Sequence, residues 1–120
     1  MKKVFILILC FIGFYSGSAI AGTTIALRGD GNILFIDEAK EEVSGKVNTG
    51  GISGTLGSIT PDGKMLYVGN SFSGQYTVSI VDVQNRTLVK NLPTGPRPKH
   101  VLVSPDGKYV GVNHLNSEQG

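Results

Sequence analysis

Two histidines, His100 and His114, stand out among the residues able to do chemistry, and both fall near the C-terminal end of the 120-residue chain. An imidazole can serve as an axial haem ligand, a metal ligand or a proton carrier. Arg97 and Lys99 lie just ahead of His100 and are suited to pairing with carboxylates of a ligand. Asn113 stands beside His114. No Ser-His-Asp order, paired-carboxylate spacing or His-x-His signature accompanies them, so the expectation is a ligand-binding site with no catalytic residue and no metal site. Within it His100 is the favoured residue, with Arg97 and His114 as its companions.

Other short patterns resolve into turns and spacers. Arg28, Gly29 and Asp30 spell the integrin-binding tripeptide, but a turn that needs Gly and Asp accounts for them. Asn85, Arg86 and Thr87 have the form of a glycosylation sequon, yet they occupy a tight turn between two apolar runs. Gly50, Gly51, Ile52, Ser53, Gly54 and Gly57 are glycine-rich like a phosphate loop. Neither Lys-Ser nor Lys-Thr follows them and no helix opens there, so they read as a passage between elements.

The leading segment has its own logic. Lys2 and Lys3 precede an apolar run from Val4 to Tyr15, and small residues follow to Ala19, Ile20 and Ala21. The run is about 12 residues, short of the roughly 20 that span a bilayer. This is the pattern of a secretory signal peptide, residues 1–21, cleaved after Ala21. The expected mature part, 22–120, is periplasmic or secreted, with no membrane span after cleavage. Removing Lys2 and Lys3 from the 11 basic residues leaves a balance with the 9 acidic ones. No basic cluster remains to bind a phosphate backbone, so nucleic acid is not an expected partner. The single cysteine, Cys10, lies in the leader, which leaves the mature part without disulfides, thiol nucleophile or cysteine metal site.

The elements that must position the histidines follow from an internal repeat. Ile59, Thr60, Pro61, Asp62, Gly63, Lys64 matches Val103, Ser104, Pro105, Asp106, Gly107, Lys108 at an offset of 44 residues. Ile36–Asp37 precedes Val81–Asp82 by 45, as Thr49–Gly50 precedes Thr94–Gly95. A period of 40–50 residues with strand-like content is that of a propeller blade. Pro sets φ early in the turn, Asp accepts from backbone N–H groups beyond it, and Gly takes the positive φ. Strands are therefore expected on both sides: first-position runs Thr55–Thr60 and His100–Ser104, and second-position runs Thr23–Leu27, Met65–Asn70 and Tyr109–His114. Ile33–Asp37 and Thr77–Val83 take the third position, and Val43–Asn48 and Thr87–Leu92 the fourth. Runs such as Leu66, Tyr67, Val68 are apolar on successive residues, as strands covered on both faces require. A short helix over Glu38–Val43 is the one exception the pattern allows.

The stretch Thr94, Gly95, Pro96, Arg97, Pro98, Lys99, His100, Val101, Leu102, Val103, Ser104, Pro105, Asp106, Gly107, Lys108, Tyr109, Val110 resembles the YVTN-type β-propeller repeat. That repeat runs from Gly-Pro through an apolar strand to Ser-Pro-Asp-Gly-Lys and Tyr-Val. Tyr67, Val68, Gly69, Asn70 is similar to the eponymous tetrapeptide, with Gly in place of Thr. The resemblance covers most of residues 33–114 and implies an all-β fold of about two four-stranded antiparallel blades, part of an incomplete propeller. Proteins similar in this way include periplasmic and surface-layer propellers, the haem-d domain of cytochrome cd-type nitrite reductase and its biosynthetic relatives, lactonase-like propellers and quinoprotein amine dehydrogenase subunits.

These activities differ, so the resemblance implies a fold more than a reaction. The first expectation is an exported module that binds a ligand or protein. An alternative is a haem-d-type propeller binding a tetrapyrrole, with haem as cofactor and His100 beside it; a second is a lactonase-like hydrolase. In a blade the innermost strand comes first, so the loop entering it and the loop leaving the second strand open on one face. That places Arg97, Lys99 and His100 near Asn113 and His114. Closed propellers use about 4–8 blades, so the chain is expected to be the N-terminal part of a longer protein or a truncated reading frame, with the remaining blades or a protein partner covering its open sheets.

Overall fold

The computed structural model describes residues 22–51, 53–72 and 75–115. The expected signal peptide, 1–21, lies outside the described residues.

Alternating and consecutive apolar residues separated by Gly- and Asp-bearing turns produce nine strands among the described residues: β1 (Thr23–Leu27), β2 (Asn32–Asp37), β3 (Glu42–Asn48), β4 (Ser53–Ile59), β5 (Met65–Phe72), β6 (Gln75–Asp82), β7 (Thr87–Pro93), β8 (Pro98–Val103) and β9 (Val110–His114). They form three antiparallel sheets in strict sequence order, β1-β2-β3, β4-β5-β6-β7 and β8-β9. The middle sheet is a whole four-stranded unit. The first holds strands of the second to fourth positions, and the last holds strands of the first and second. Each sequence-expected strand is present, with boundaries shifted by a residue or two.

The short helix allowed over Glu38–Val43 does not form. The Asp37 carboxylate accepts from the Ala39 and Lys40 N–H groups, both at 3.0 Å. Glu41 then turns back at φ 56°, and β3 begins at Glu42. Asp82 and Arg86 repeat this one period on: Asp82 accepts from the Asn85 N–H at 2.8 Å, and Arg86 has φ 56°. A β-bulge recurs at the same offset, between Phe35 and Ile36 and between Ile80 and Val81. Repetition of a bulge and a strained φ shows that the 45-residue period is structural, because neither is dictated by strand propensity alone.

The Pro-Asp-Gly-Lys turns are superimposable in their bonding. Thr60 Oγ1 donates to Asp62 Oδ1 at 2.6 Å, and the Lys64 N–H donates to the same oxygen at 3.0 Å. The Met65 N–H reaches Thr60 Oγ1 at 3.0 Å. Ser104, Asp106, Lys108 and Tyr109 repeat the set at 2.5, 3.1 and 3.0 Å. Gly63 and Gly107 both stand at φ 73°, which a side chain would strain.

The sheets stack face to face. Ile33, Phe35 and Val47 of the first sheet pack on Ile59, Leu66, Val68, Val81 and Val83 of the middle one, forming the main core. Phe35 is fully buried, with the Arg86 guanidinium 5.7 Å from its ring centroid. Arg86 also donates to the Ser44 carbonyl, and Asn91 Nδ2 donates to the Thr49 carbonyl at 3.0 Å, so two side chains of the outer turn and strand of the middle sheet hold the first. On its other face the middle sheet receives β8. Gly69 eases this approach, since a Cβ would stand 3.3 Å from Val101 Cγ2 and require a shift of a few tenths of an ångström. The Val103 N–H donates to Ser58 Oγ across this second interface at 3.1 Å.

Candidate functional site

The two histidines are carried by the β8–β9 hairpin, whose register follows from the Ser104–Tyr109 turn. Opposed pairs are Pro98 with His114, His100 with Asn113, Val101 with Val112, Leu102 with Gly111 and Val103 with Val110. Residues directly opposite on an antiparallel pair share a face. Val101 is buried against the middle sheet. His114, in register with Pro98, therefore belongs to that inward face. His100, opposite Asn113, belongs to the outward face.

Both histidines thus occupy the same end of the hairpin on opposite faces. His114 Nε2 lies 2.9 Å from Thr94 Oγ1, and its ring closes over Gly95, in the segment that leads from β7 into β8. The Leu115 N–H donates to the Arg97 carbonyl at 3.0 Å, closing this end. Arg97 itself sits at φ 50°, with an exposed side chain. Lys99 and His100 are in the strand rather than in the preceding loop, and both are exposed at the irregularity between Pro98 and His100. The arrangement gathers Arg97, Pro98 and His114 around one backbone bridge and leaves His100 and Asn113 facing away. Among the described residues, no group of three or more His, Cys, Asp or Glu side chains is placed to hold a metal ion.

Sequence reasoning missed a second polar feature, inside the middle sheet. Asn70 aligns with His114 at the 44-residue offset. It is 2 % exposed and donates through Nδ2 to Ser79 Oγ at 2.5 Å and to Thr77 Oγ1 at 3.2 Å. Ser79 Oγ donates to Asn91 Oδ1 at 2.5 Å, and Asn91 Nδ2 donates to the Thr49 carbonyl. Thr49 Oγ1 ends the chain on the Gly31 carbonyl at 3.1 Å. Asn70 Oδ1 is buried without a partner. The available signal was the polar alternation Thr77, Ser79 within an otherwise apolar strand, whose partner Asn91 lies on the next strand.

Four carboxylates are held below their ordinary value of 3.8, each within a turn. Asp62 is lowered first by the Thr60 hydroxyl and then by the Lys64 N–H, and Asp106 likewise by Ser104 and Lys108. The Asn32 side chain and N–H lower Asp30, and the Asn85 N–H and side chain lower Asp82. These shifts mark turn architecture shared by the repeats, away from the histidine end of the hairpin.

Antiparallel sheets in strict sequence order, repeating at 44–45 residues and stacked face to face, are the arrangement of β-propeller blades, and known structures agree. The chain is similar to hydrazine synthase of Kuenenia stuttgartiensis at 31% identity and a TM-score of 0.69, over 78% of this chain and 26% of that one. It is similar in fold to the dihydro-haem d1 dehydrogenase NirN in complex with DHE, at 21% identity and a TM-score of 0.63, over 75% of this chain and 19% of that one. A chain of the mitotic checkpoint complex matches at 19% identity and a TM-score of 0.63, over 78% of this chain and 30% of that one. The chain thus spans between about a fifth and a third of the length of these structures. No protein-family model matches the sequence. No curated protein matches it either.

Proposed function

We propose that the chain is an exported propeller module of the YVTN kind, directed to the periplasm or the cell exterior by residues 1–21, where it binds a ligand or protein. The observation that carries this reading is the recurrence, at a 44–45 residue offset, of one bonded turn, one bulge and one left-handed residue, each found twice. Arg97, His100 and His114 are its binding candidates. Purification from the exported fraction of a bacterial host should give an N-terminus at Gly22. A retained leader would overturn the export reading, and a tightly bound redox cofactor would overturn the purely binding one.

A second reading, a propeller that handles a tetrapyrrole, is supported by His100. Its imidazole stands exposed on the outward face, within reach of an added ligand, whereas His114 Nε2 is tied to Thr94. The likeness to dihydro-haem d1 dehydrogenase is one of fold and adds no residue to this case. Titrating the protein with haem should shift the Soret band, and His100→Ala should abolish the shift. An unchanged spectrum, or one indifferent to His100→Ala, would rule the reading out.

A further inference from the structure

The two interfaces between sheets place equivalent residues together, and they differ there in one side chain. Asn70 and Thr49 of the first interface correspond to His114 and Thr94 of the second, at offsets of 44 and 45 residues. The backbone at the two threonines is held alike: the Thr49 N–H donates to the Gly31 carbonyl and the Thr94 N–H to the Tyr76 carbonyl, both at 2.9 Å. Asn70 shares the face of β5 on which Leu66 and Val68 meet the first sheet, as His114 shares the inward face of β9 with Val112. In the second interface the imidazole joins the sheets directly, with Nε2 2.9 Å from Thr94 Oγ1.

Asn70 makes no such join, because its amide is committed elsewhere. A backbone carbonyl can only accept, so the Thr49 carbonyl takes Asn91 Nδ2 and leaves Asn91 Oδ1 facing Ser79. The Ser79 proton is spent on that oxygen. Ser79 Oγ must then accept from Asn70 Nδ2, whose other proton goes to Thr77 Oγ1. Turning the Asn70 amide over would set its oxygen against the Ser79 lone pairs. Asn70 Oδ1 is thereby directed out of the chain, buried and with no protein donor. An asparagine side chain also ends one bond short of a histidine Nε2. The Thr49 hydroxyl gives its proton to the Gly31 carbonyl at 3.1 Å, and its oxygen retains the capacity to accept.

We propose that the first interface binds one buried water molecule, which donates to Asn70 Oδ1 and to Thr49 Oγ1 in the place that the His114 ring takes in the second interface. Two acceptors call for a molecule with two protons to give, and water is the smallest that has them. It closes Asn70, Ser79, Asn91 and Thr49 into a hydrogen-bonded ring that ties β5, β6 and β7 to the end of β3. An ammonium ion has the protons, but the groups bonded into this chain are amides, hydroxyls and carbonyls, with no carboxylate to offset its charge. The site depends on neither the export nor the haem reading.

A crystal structure of the full chain, grown without ammonium salts, should show one ordered water about 2.7–3.2 Å from both oxygens. In solution, oxygen-17 relaxation dispersion should count one fewer long-lived water in Asn70→His than in the parent, since the longer ring reaches Thr49 as His114 reaches Thr94. Thr49→Val keeps the shape and removes one acceptor, and should shorten the residence of that water about tenfold. A protein donor found directly on Asn70 Oδ1, no ordered water between the two oxygens, occupancy only when ammonium is supplied, or an unchanged count in Asn70→His would each overturn the proposal. The parent crystal is decisive even if neither variant folds.

Discussion

Thr60 and Asp62 show how little chemistry a blade turn needs: a hydroxyl, a carboxylate and a glycine at positive φ. Both turn aspartates are lowered in the folded chain, which sets the sign of their pH dependence. A carboxylate with a folded value below its unfolded one adds stability that is complete above the ordinary value of 3.8 and disappears as pH falls through the lowered value. Asp62→Ala should therefore lower Tm at neutral pH, and the gap from the parent should close as the solution is acidified below pH 3.8. Thermal melts across pH 2 to 7 measure both. Ser79 is a different case, because it is fully buried and bonded on both sides. Ser79→Ala leaves Asn70 and Asn91 each short of a partner and should cost about 1–3 kcal/mol in urea unfolding.

At the scale of elements, the first interface is held by a ring, a guanidinium and two backbone carbonyls. Phe35→Ala should destabilise by about 3–5 kcal/mol in urea unfolding, since it opens a cavity in the core and removes the surface under Arg86. The loss should also speed amide exchange in β3, whose Ser44 carbonyl is bonded by Arg86. The bulge in the first sheet bears on this: Ser44 is its extra residue, left without an opposite number on β2, and its carbonyl is the one that Arg86 bonds. The strand order was legible from the Pro-Asp-Gly-Lys turns and apolar runs, since each run lies between turn residues. The bulges and the Glu41 and Arg86 conformations were not legible, because Glu, Arg and Ser carry no local preference for them.

At the scale of the whole set of described residues, the three unequal sheets leave large apolar side chains exposed. Leu102 and Tyr109 are 67% and 72% exposed, Leu102 on the outward face of the last hairpin. Such surface favours edge-to-edge and face-to-face association. Leu102→Lys should leave Tm within about a degree or two of the parent, as exposed substitutions do, while lowering the weight-average mass in sedimentation at high protein concentration. An unchanged mass would place the association elsewhere. No helix among the described residues is long and apolar enough to cross a membrane.

What the sequence determined by itself was the β content, the period and the order of strands within each blade. These depend on local turn chemistry and on apolar runs, both readable along the chain. It also drew attention to His100, Arg97 and His114, through their types and their closeness. Only the tertiary structure separated the histidines, because a face is assigned by register and the irregularity between Pro98 and His100 resets the alternation. Only the tertiary structure revealed the Asn70–Ser79–Asn91–Thr49 chain, because its members come from four segments that meet by sheet pairing and blade stacking.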